Sequence, residues 1–184
     1  MTDWRPEFNP AHLYFVTTTA VGRSPIFQRD VIKRIIVDSL YFMCSARNVD
    51  LYAFVIMPNH VHFIIRCPEI YPLKDMMRDF KANAARLITR QFQAERNTQV
   101  LDFLAASVTR TDRQQFKIWE DGYIAKNVFS AEFLKQKMDY IHNNPIQPHW
   151  SLVENPDEYI WSSARFYLMG EPALIPLGEL EVWF

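Results

Sequence analysis

Residues 57–65 read MPNHVHFII, and this stretch decides how the rest of the chain is interpreted. Pro58 and Asn59 favour a short turn, and the apolar run after them favours a β-strand. Successive side chains of a strand point to opposite faces, so His60 and His62 are expected side by side on one face. Two imidazoles at this spacing can bind one divalent cation, or they can be partly buried histidines that hydrogen-bond to neighbours. Both interpretations stay open until a third ligand is found.

The segments around this strand alternate between strand-like and helix-like patterns. We predict strands over 12–20, 51–56, 60–66 and within 116–127, and helices over 30–47, after Pro72, within 101–108 and over 131–143, with Asp30 and Ser130 as N-caps. The order β-α-β-β-α-β is that of a ferredoxin-like α+β sandwich, an antiparallel sheet with helices on one face. We expect a single domain over residues 1–184, with residues 151–184 as a C-terminal helical extension packed on it.

Charge is unevenly distributed along a chain whose formal net charge is −1. Residues 151–184 contain six acidic residues and one basic residue, whereas residues 74–96 contain six basic and three acidic residues. A locally basic helix can bind a polyanion such as DNA. The same pattern also fits a solvated helix face, so charge alone does not identify a partner.

Several classes of protein are disfavoured by what the sequence lacks. With four glycines and no Gly-rich phosphate loop, the chain does not fit a nucleotide-binding doubly wound fold. Cys44 and Cys67 are not part of a CxxC pair, which argues against a thiolate zinc site or a disulfide framework. Residues 1–5 lack an apolar signal segment, and no run is long enough to span a bilayer. We therefore expect a cytoplasmic protein with no membrane partner.

The last predicted helix carries a group of polar side chains beside its apolar stripe. Lys137, Tyr140 and Asn144 follow one another at i, i+3 and i+7 and share a face. A tyrosine there can be a half-buried structural residue, or a nucleophile if a bound metal polarises a phosphoryl oxygen. Two imidazoles and an amide oxygen suit Mg²⁺, Mn²⁺ or another borderline ion.

Four segments together resemble a known family: MPNHVHFII, RDFKANAARLITRQ, KMDYIHNNPIQ and NPDEYIWSSARFYL. The chain is similar to the single-tyrosine HUH transposases, and most of all to the REP-associated tyrosine transposases of the insertion-sequence 200 type. The resemblance runs from the first predicted strand to about Tyr167. It implies a ferredoxin-like fold, a divalent metal (Mg²⁺ or Mn²⁺) bound by His60 and His62, and Asn144 as the residue that completes the metal site. It also implies that Tyr140 cleaves single-stranded DNA next to a hairpin.

The activity that the resemblance implies is a metal-dependent transesterification. Tyr140 would attack the phosphorus to give a 5′-phosphotyrosine and a free 3′-hydroxyl, and a later 3′-hydroxyl could rejoin the strands. His142, inside the same motif, is interpreted as structural or DNA-facing. For DNA contact we expect basic and aromatic residues that reach the backbone or stack on bases: Lys74, Arg78, Lys81, Lys137, Trp119 and Tyr123.

Two other functions stay open from the sequence. The first is a DNA-hairpin-binding protein of the same fold without useful cleavage. The second is a metal enzyme of the cupin type, which the scarcity of glycine and the helical periodicity disfavour. The expected partner is single-stranded DNA with hairpins or palindromic repeats, and the expected oligomeric state is a monomer or a homodimer.

Overall fold

The computed structural model describes residues 6–109 and 114–180. The predictions for residues 1–5 and for the end of the acidic extension, residues 181–184, lie outside this part. Secondary structure within it consists of β1 (Leu13–Thr19), α1 (Asp30–Arg47), β2 (Asp50–Ile56), β3 (His60–Arg66), α2 (Leu73–Ala94), α3 (Thr98–Ala106), β4 (Ile124–Val128), α4 (Ala131–His142) and α5 (Ala164–Met169), with short 3₁₀ turns at Val21–Arg23 and Pro156–Glu158. None of the described helices is long and apolar enough to cross a membrane.

The four strands form one antiparallel sheet in the order β2-β3-β1-β4. Two strands that are adjacent in the chain, β2 and β3, pair as a hairpin, and β1 lies between β3 and β4. This is the ferredoxin-like arrangement that the element order predicts, and the α+β fold class is confirmed. It places β3, with both histidines, in the interior of the sheet.

Helices cover both faces of this sheet. Phe63 of β3 packs edge-on against Phe80 of α2, with 5.9 Å between ring centroids, and α1 packs beside α2. His62, which points to the opposite face, lies 5.1 Å from the ring of Tyr140 on α4. The two crossover helices therefore share one face, as predicted, and α4 lies on the other face over the histidines.

Of the two predicted N-caps, that of α4 is confirmed and that of α1 is wrong. The Ser130 hydroxyl accepts a hydrogen bond of 3.2 Å from the Phe133 amide at the start of α4, which is the predicted N-cap. Helix α1 has Arg29, not Asp30, at its N-cap position. The Asp30 carboxylate instead accepts a hydrogen bond of 3.0 Å from the indole of Trp161. The prediction that Asp30 caps α1 is wrong because this carboxylate ties the helix to the C-terminal segment.

The C-terminal segment hydrogen-bonds along the open edge of β2. The amide of Ile56 donates to the carbonyl of Trp161 at 2.9 Å, and the amide of Ser163 donates to the carbonyl of Phe54 at 2.9 Å. Further along, the Gly178 amide donates to a β2 carbonyl at 2.7 Å. The extension is thus bonded to the sheet by its backbone, and from α5 the Tyr167 hydroxyl donates to the Tyr52 carbonyl at 2.5 Å.

Candidate active site

Strand β3 presents His60 and His62 to the space beneath α4. Their ring centroids are 4.6 Å apart, and their Cα partners across the strand pair are Thr19 and Thr17 of β1. The strand spacing alone predicts this shared face. His62 is buried, and its ring stacks on Phe15 with 5.4 Å between centroids. The two imidazoles are therefore held close together by a strand that is paired on both sides.

Hydrogen bonds orient both imidazole rings. The Asn59 amide nitrogen donates to the Arg23 carbonyl at 2.9 Å, so its oxygen faces His60 and accepts from Nδ1 of that ring at 2.6 Å. In His62, Nδ1 lies 2.8 Å from the Thr17 hydroxyl. When Nδ1 carries the proton of a neutral imidazole, Nε2 has a free lone pair. Histidines that bind a metal through one ring nitrogen commonly donate a hydrogen bond from the other in this way.

Burial keeps both rings neutral. It lowers the pKa of His60 to about 4, against a smaller opposing effect from the Asn144 side chain. Burial also lowers the pKa of His62 well below its usual value, and the nearby His60 and Lys137 lower it further. At neutral pH both Nε2 atoms can therefore act as ligands for a cation.

Asn144 supplies the third polar group of the cleft. It lies just beyond the end of α4 and is buried. Its Oδ1 atom and Nε2 of His62 are both buried without a hydrogen-bond partner in the described part of the chain. Such atoms usually cost about 1–3 kcal/mol each, so their position suggests a ligand. Within residues 6–109 and 114–180 no three His, Cys, Asp or Glu residues cluster, so a metal here would need the amide oxygen.

Tyr140 lies at the open side of the same cleft, one helical turn before Asn144. Its ring lies 5.1 Å from that of His62 and 6.0 Å from that of Phe15, and 47% of the residue is exposed. The cleft has a volume of about 430 Å³ and is lined by both histidines, Tyr140 and Asn144. The phenol can therefore meet a molecule from solvent while it remains next to the buried histidines.

Lys137 lies over the aromatic rings beside the cleft. Its Nζ atom is 5.8 Å from the ring centroid of Tyr140, 5.2 Å from that of Phe15 and 4.9 Å from that of Phe133. Burial lowers the pKa of this ammonium, and the nearby Lys126 contributes in the same direction. A cation over ring faces is held by its attraction to the π electrons. The lysine therefore places positive charge close to the tyrosine.

Comparison with known proteins identifies the family. A family model described as IS200-like transposase matches residues 10–144. This chain belongs to the IS200-like transposase family. The family that its motifs resemble is thereby confirmed.

Solved structures of other proteins are similar to that of the transposase. One similar structure is that of a REP-associated tyrosine transposase bound to a REP hairpin, with a TM-score of 0.66, 16% identity, and coverage of 98% of this chain and 93% of that chain. This likeness shows a shared fold. Another is a putative transposase from Deinococcus radiodurans R1, with a TM-score of 0.47, 19% identity, and coverage of 78% and 97%. A search of curated proteins gave no match.

Further residues of the transposase line the cleft although the sequence motifs do not point to them. Arg23, Gln147, His149 and Trp150 complete its wall. Arg23 has φ of +50°, a backbone conformation that is uncommon for a residue other than glycine. Gln147, His149 and Trp150 follow Asn144 within a few positions, and this proximity in the sequence could have indicated that they lie near the cleft. Arg23 comes from a turn far away in the chain and had no local signal.

The basic residues predicted on α2 do not converge on the cleft of the transposase, because α2 lies on the opposite face of the sheet. Arg78 pairs with Asp75 at 2.7 Å and Asp79 at 2.8 Å. The Lys81 ammonium donates to the carbonyl oxygens of Glu120 at 2.8 Å and Gly122 at 2.5 Å, so it anchors a turn. Lys74 lines a separate pocket near the start of α2. Their contact with DNA stays a prediction.

One of the two predicted base-stacking residues is part of the core. Trp119 is 5% exposed, its ring lies 4.7 Å from that of Phe27 and 5.8 Å from that of Phe80, and its indole donates to the Lys81 carbonyl. The prediction that Trp119 stacks on DNA bases is wrong. Its backbone forms a β-bridge with Ala20, which directs the indole into the protein.

Tyr123 remains partly exposed and lines two surface pockets, so its contact with DNA stays a prediction. His142 is buried, and its Nε2 lies 2.9 Å from the Ser163 hydroxyl of the C-terminal segment. Burial lowers its pKa to about 4. Of the two roles considered for His142, the contacts support the structural one.

Proposed function

We propose that this transposase cleaves and rejoins single-stranded DNA beside hairpins through a covalent bond between Tyr140 and a 5′-phosphate. The observation that carries the proposal is the convergence of His60, His62, Asn144 and Tyr140 on one cleft. All four side chains belong to one chain, so a monomer has a complete set of these groups. The solved relative was bound to a REP hairpin, and we propose a DNA hairpin as the partner here as well.

The chemistry of the donor set fits a divalent cation. His60 and His62 would contribute Nε2, and Asn144 would contribute the Oδ1 atom, which has no hydrogen-bond partner among the described residues. The amide oxygen suits Mg²⁺ or Mn²⁺, and the two imidazoles also suit another borderline ion, so we propose Mg²⁺ or Mn²⁺ with the resemblance to the family as the reason for that choice. When bound, such a cation would neutralise charge on the scissile phosphate. The hydrogen bonds to Nδ1 of each ring hold the imidazoles in the orientation that this binding requires.

The protein residues supply the nucleophile and position it. The Tyr140 oxygen forms a bond to phosphorus while the bond from phosphorus to the 3′-oxygen breaks. The phenolic proton passes to solvent, which reaches this half-exposed side chain, and the leaving 3′-oxygen takes up a proton. Lys137 above the ring favours the negative charge that develops on the phenol oxygen. Because one phosphoester replaces another, a second 3′-hydroxyl can reverse the step and join two strands without ATP.

A nicking assay tests the proposal directly. A labelled hairpin oligonucleotide with single-stranded flanks is incubated with the protein in Mg²⁺, Mn²⁺ or EDTA. We expect a nick and a covalent adduct that depend on the metal, with the DNA attached to the Tyr140 peptide after digestion. Binding of the hairpin without nicking in either metal would instead support the hairpin-binding alternative.

A further inference from the structure

A row of rings leads from the surface to the cleft along one side of α4. Phe129, just before the helix, is 80% exposed, and its ring stacks on that of Phe133 with 5.1 Å between centroids and 12° between planes. The Lys137 ammonium lies over the Phe133 ring, 4.9 Å from its centroid, and 5.8 Å from the centroid of the Tyr140 ring. Single exposed aromatic residues are ordinary. Here, however, the stacked pair of Phe129 and Phe133 is followed by Lys137 and then by Tyr140, so these side chains form one continuous surface.

Strand β4 adds a second cation to this surface. Lys126 is exposed and pairs across the sheet with Phe15, so it lies on the same face as Phe15 and α4. It is close enough to Lys137 to affect its ionisation. On α4, the carboxylate of Asp139 is paired with Lys135 at 2.6 Å. We call Phe129, Phe133, Lys126 and Lys137 the aromatic track; it contains two positive charges and no negative charge.

We propose that the aromatic track binds the single-stranded segment of the DNA next to the scissile phosphate. One base stacks on the open face of Phe129, and the backbone passes Lys126 and Lys137. Stacking on aromatic rings beside lysines is how proteins hold single strands without reading their sequence. The inference rests on the proposed function only in that it takes Tyr140 as the position of the scissile phosphate.

The helix geometry sets where the stacked base lies. From Phe133 to Tyr140 the helix axis advances about 10 Å, at about 1.5 Å per residue. The Phe129 ring, on which the base stacks, lies a further 5.1 Å from that of Phe133. The whole distance corresponds to roughly five nucleotides at the spacing of about 3.4 Å along one strand. The base that stacks on Phe129 should therefore be about five nucleotides from the phosphate that Tyr140 attacks.

Binding is measured without cleavage by placing every variant in a Tyr140→Phe background. The probe is a fluorescent hairpin oligonucleotide with a single-stranded flank. Phe129→Ala should weaken binding roughly 5- to 150-fold, the range for loss of one base–aromatic stack. Phe129→Trp, which keeps a stacking surface, should bind at least as well as the parent. Phe42→Ala is the matched control, since Phe42 is 55% exposed on α1, away from the track, and should leave affinity unchanged.

Two further measurements distinguish base stacking from nonspecific binding. An abasic site about five nucleotides from the scissile phosphate should remove most of the effect of Phe129→Ala, whereas abasic sites elsewhere should leave that effect intact. Lys126→Ala should lower the slope of log affinity against log salt by roughly 0.7 if it contacts one phosphate. Phe129→Ala should not change that slope.

The outcomes distinguish this inference from the proposed function. If Phe129→Ala and Phe42→Ala bind the probe equally well while the wild type nicks DNA, the track is not a DNA site and only this inference is overturned. If Phe129→Ala weakens binding but the wild type forms no adduct, the proposed function fails and the binding surface remains. A change in sedimentation mass with unchanged affinity would show that the pair is a contact between copies, which also overturns the inference.

Discussion

The substitution Asn144→Leu should make the metal-free protein no less stable than the wild type. The wild type buries an Oδ1 atom without a partner, which costs about 1–3 kcal/mol, and leucine of similar size removes that atom. No side-chain hydrogen bond of this oxygen is lost with it, since Oδ1 has no partner in the described part of the chain. The expected net change in the free energy of unfolding is therefore about +1 to +3 kcal/mol in favour of the variant.

With a sufficient excess of metal present, the wild type should instead be more stable than the Asn144→Leu variant. A ligand at 100 times its Kd stabilises the folded state by about 2.7 kcal/mol. For a chain of this size 1 kcal/mol corresponds to roughly 2–4 °C in Tm, so the wild type should gain roughly 5–11 °C. Asn144→Leu lacks one of the three proposed ligands and should gain much less at the same concentration.

Thermal unfolding followed by circular dichroism measures both effects, in EDTA and over a Mn²⁺ titration. The result that would refute the reasoning is a variant that unfolds well below the wild type in EDTA and shows the same metal-induced rise in Tm. Asn144 would then be a packing residue, and the metal, if bound, would be held by other groups. Asn143→Leu is the matched control, because this neighbouring amide at the helix end does not line the cleft.

The remaining predictions concern single side chains. Tyr140→Phe should change the free energy of unfolding by less than about 1 kcal/mol and abolish the covalent adduct; cleavage by this variant would contradict the assignment. Trp119→Ala should lower the free energy of unfolding by about 3–5 kcal/mol in urea denaturation, because the indole is buried; a stable variant with weak DNA binding would contradict this. Lys81→Met should cost about 2 kcal/mol through its lost bonds to two carbonyls, and if Lys81 also contacts one phosphate, as predicted, the slope of log affinity against log salt should fall by roughly 0.7; an unchanged slope would contradict the DNA contact.

Local patterns predicted most of the fold. The bounds of β3 and α1 follow from their periodicity and flanking residues, and Ser130 was recognisable as a cap from its type and position. The shared face of His60 and His62 follows from strand geometry alone, since it needs only the alternation of side chains. These features depend on residues that are close together in the chain.

Features that depend on contacts between distant segments were missed. The sequence indicated that the Trp119 ring could stack on DNA bases, but the β-bridge between Trp119 and Ala20 places the ring in the core. The acceptors of Lys81 are backbone carbonyls about 40 positions away, which no charge pattern indicates. Phe129 was overlooked because an exposed phenylalanine looks like any other apolar residue until its stacking partner and the nearby lysines are known.

The backbone bonds between β2 and the C-terminal segment have a consequence for the limits of the folding unit. A chain that stopped at residue 150 would leave a row of bare amides and carbonyls on β2, among apolar side chains, and such a row recruits strands from other molecules and promotes aggregation. The extension occupies that row with its own backbone, from Trp161 to Gly178. The family model matches residues 10–144, whereas the segment that covers the edge of β2 extends to Gly178. The part of this chain that folds without an open sheet edge is therefore longer than the matched part.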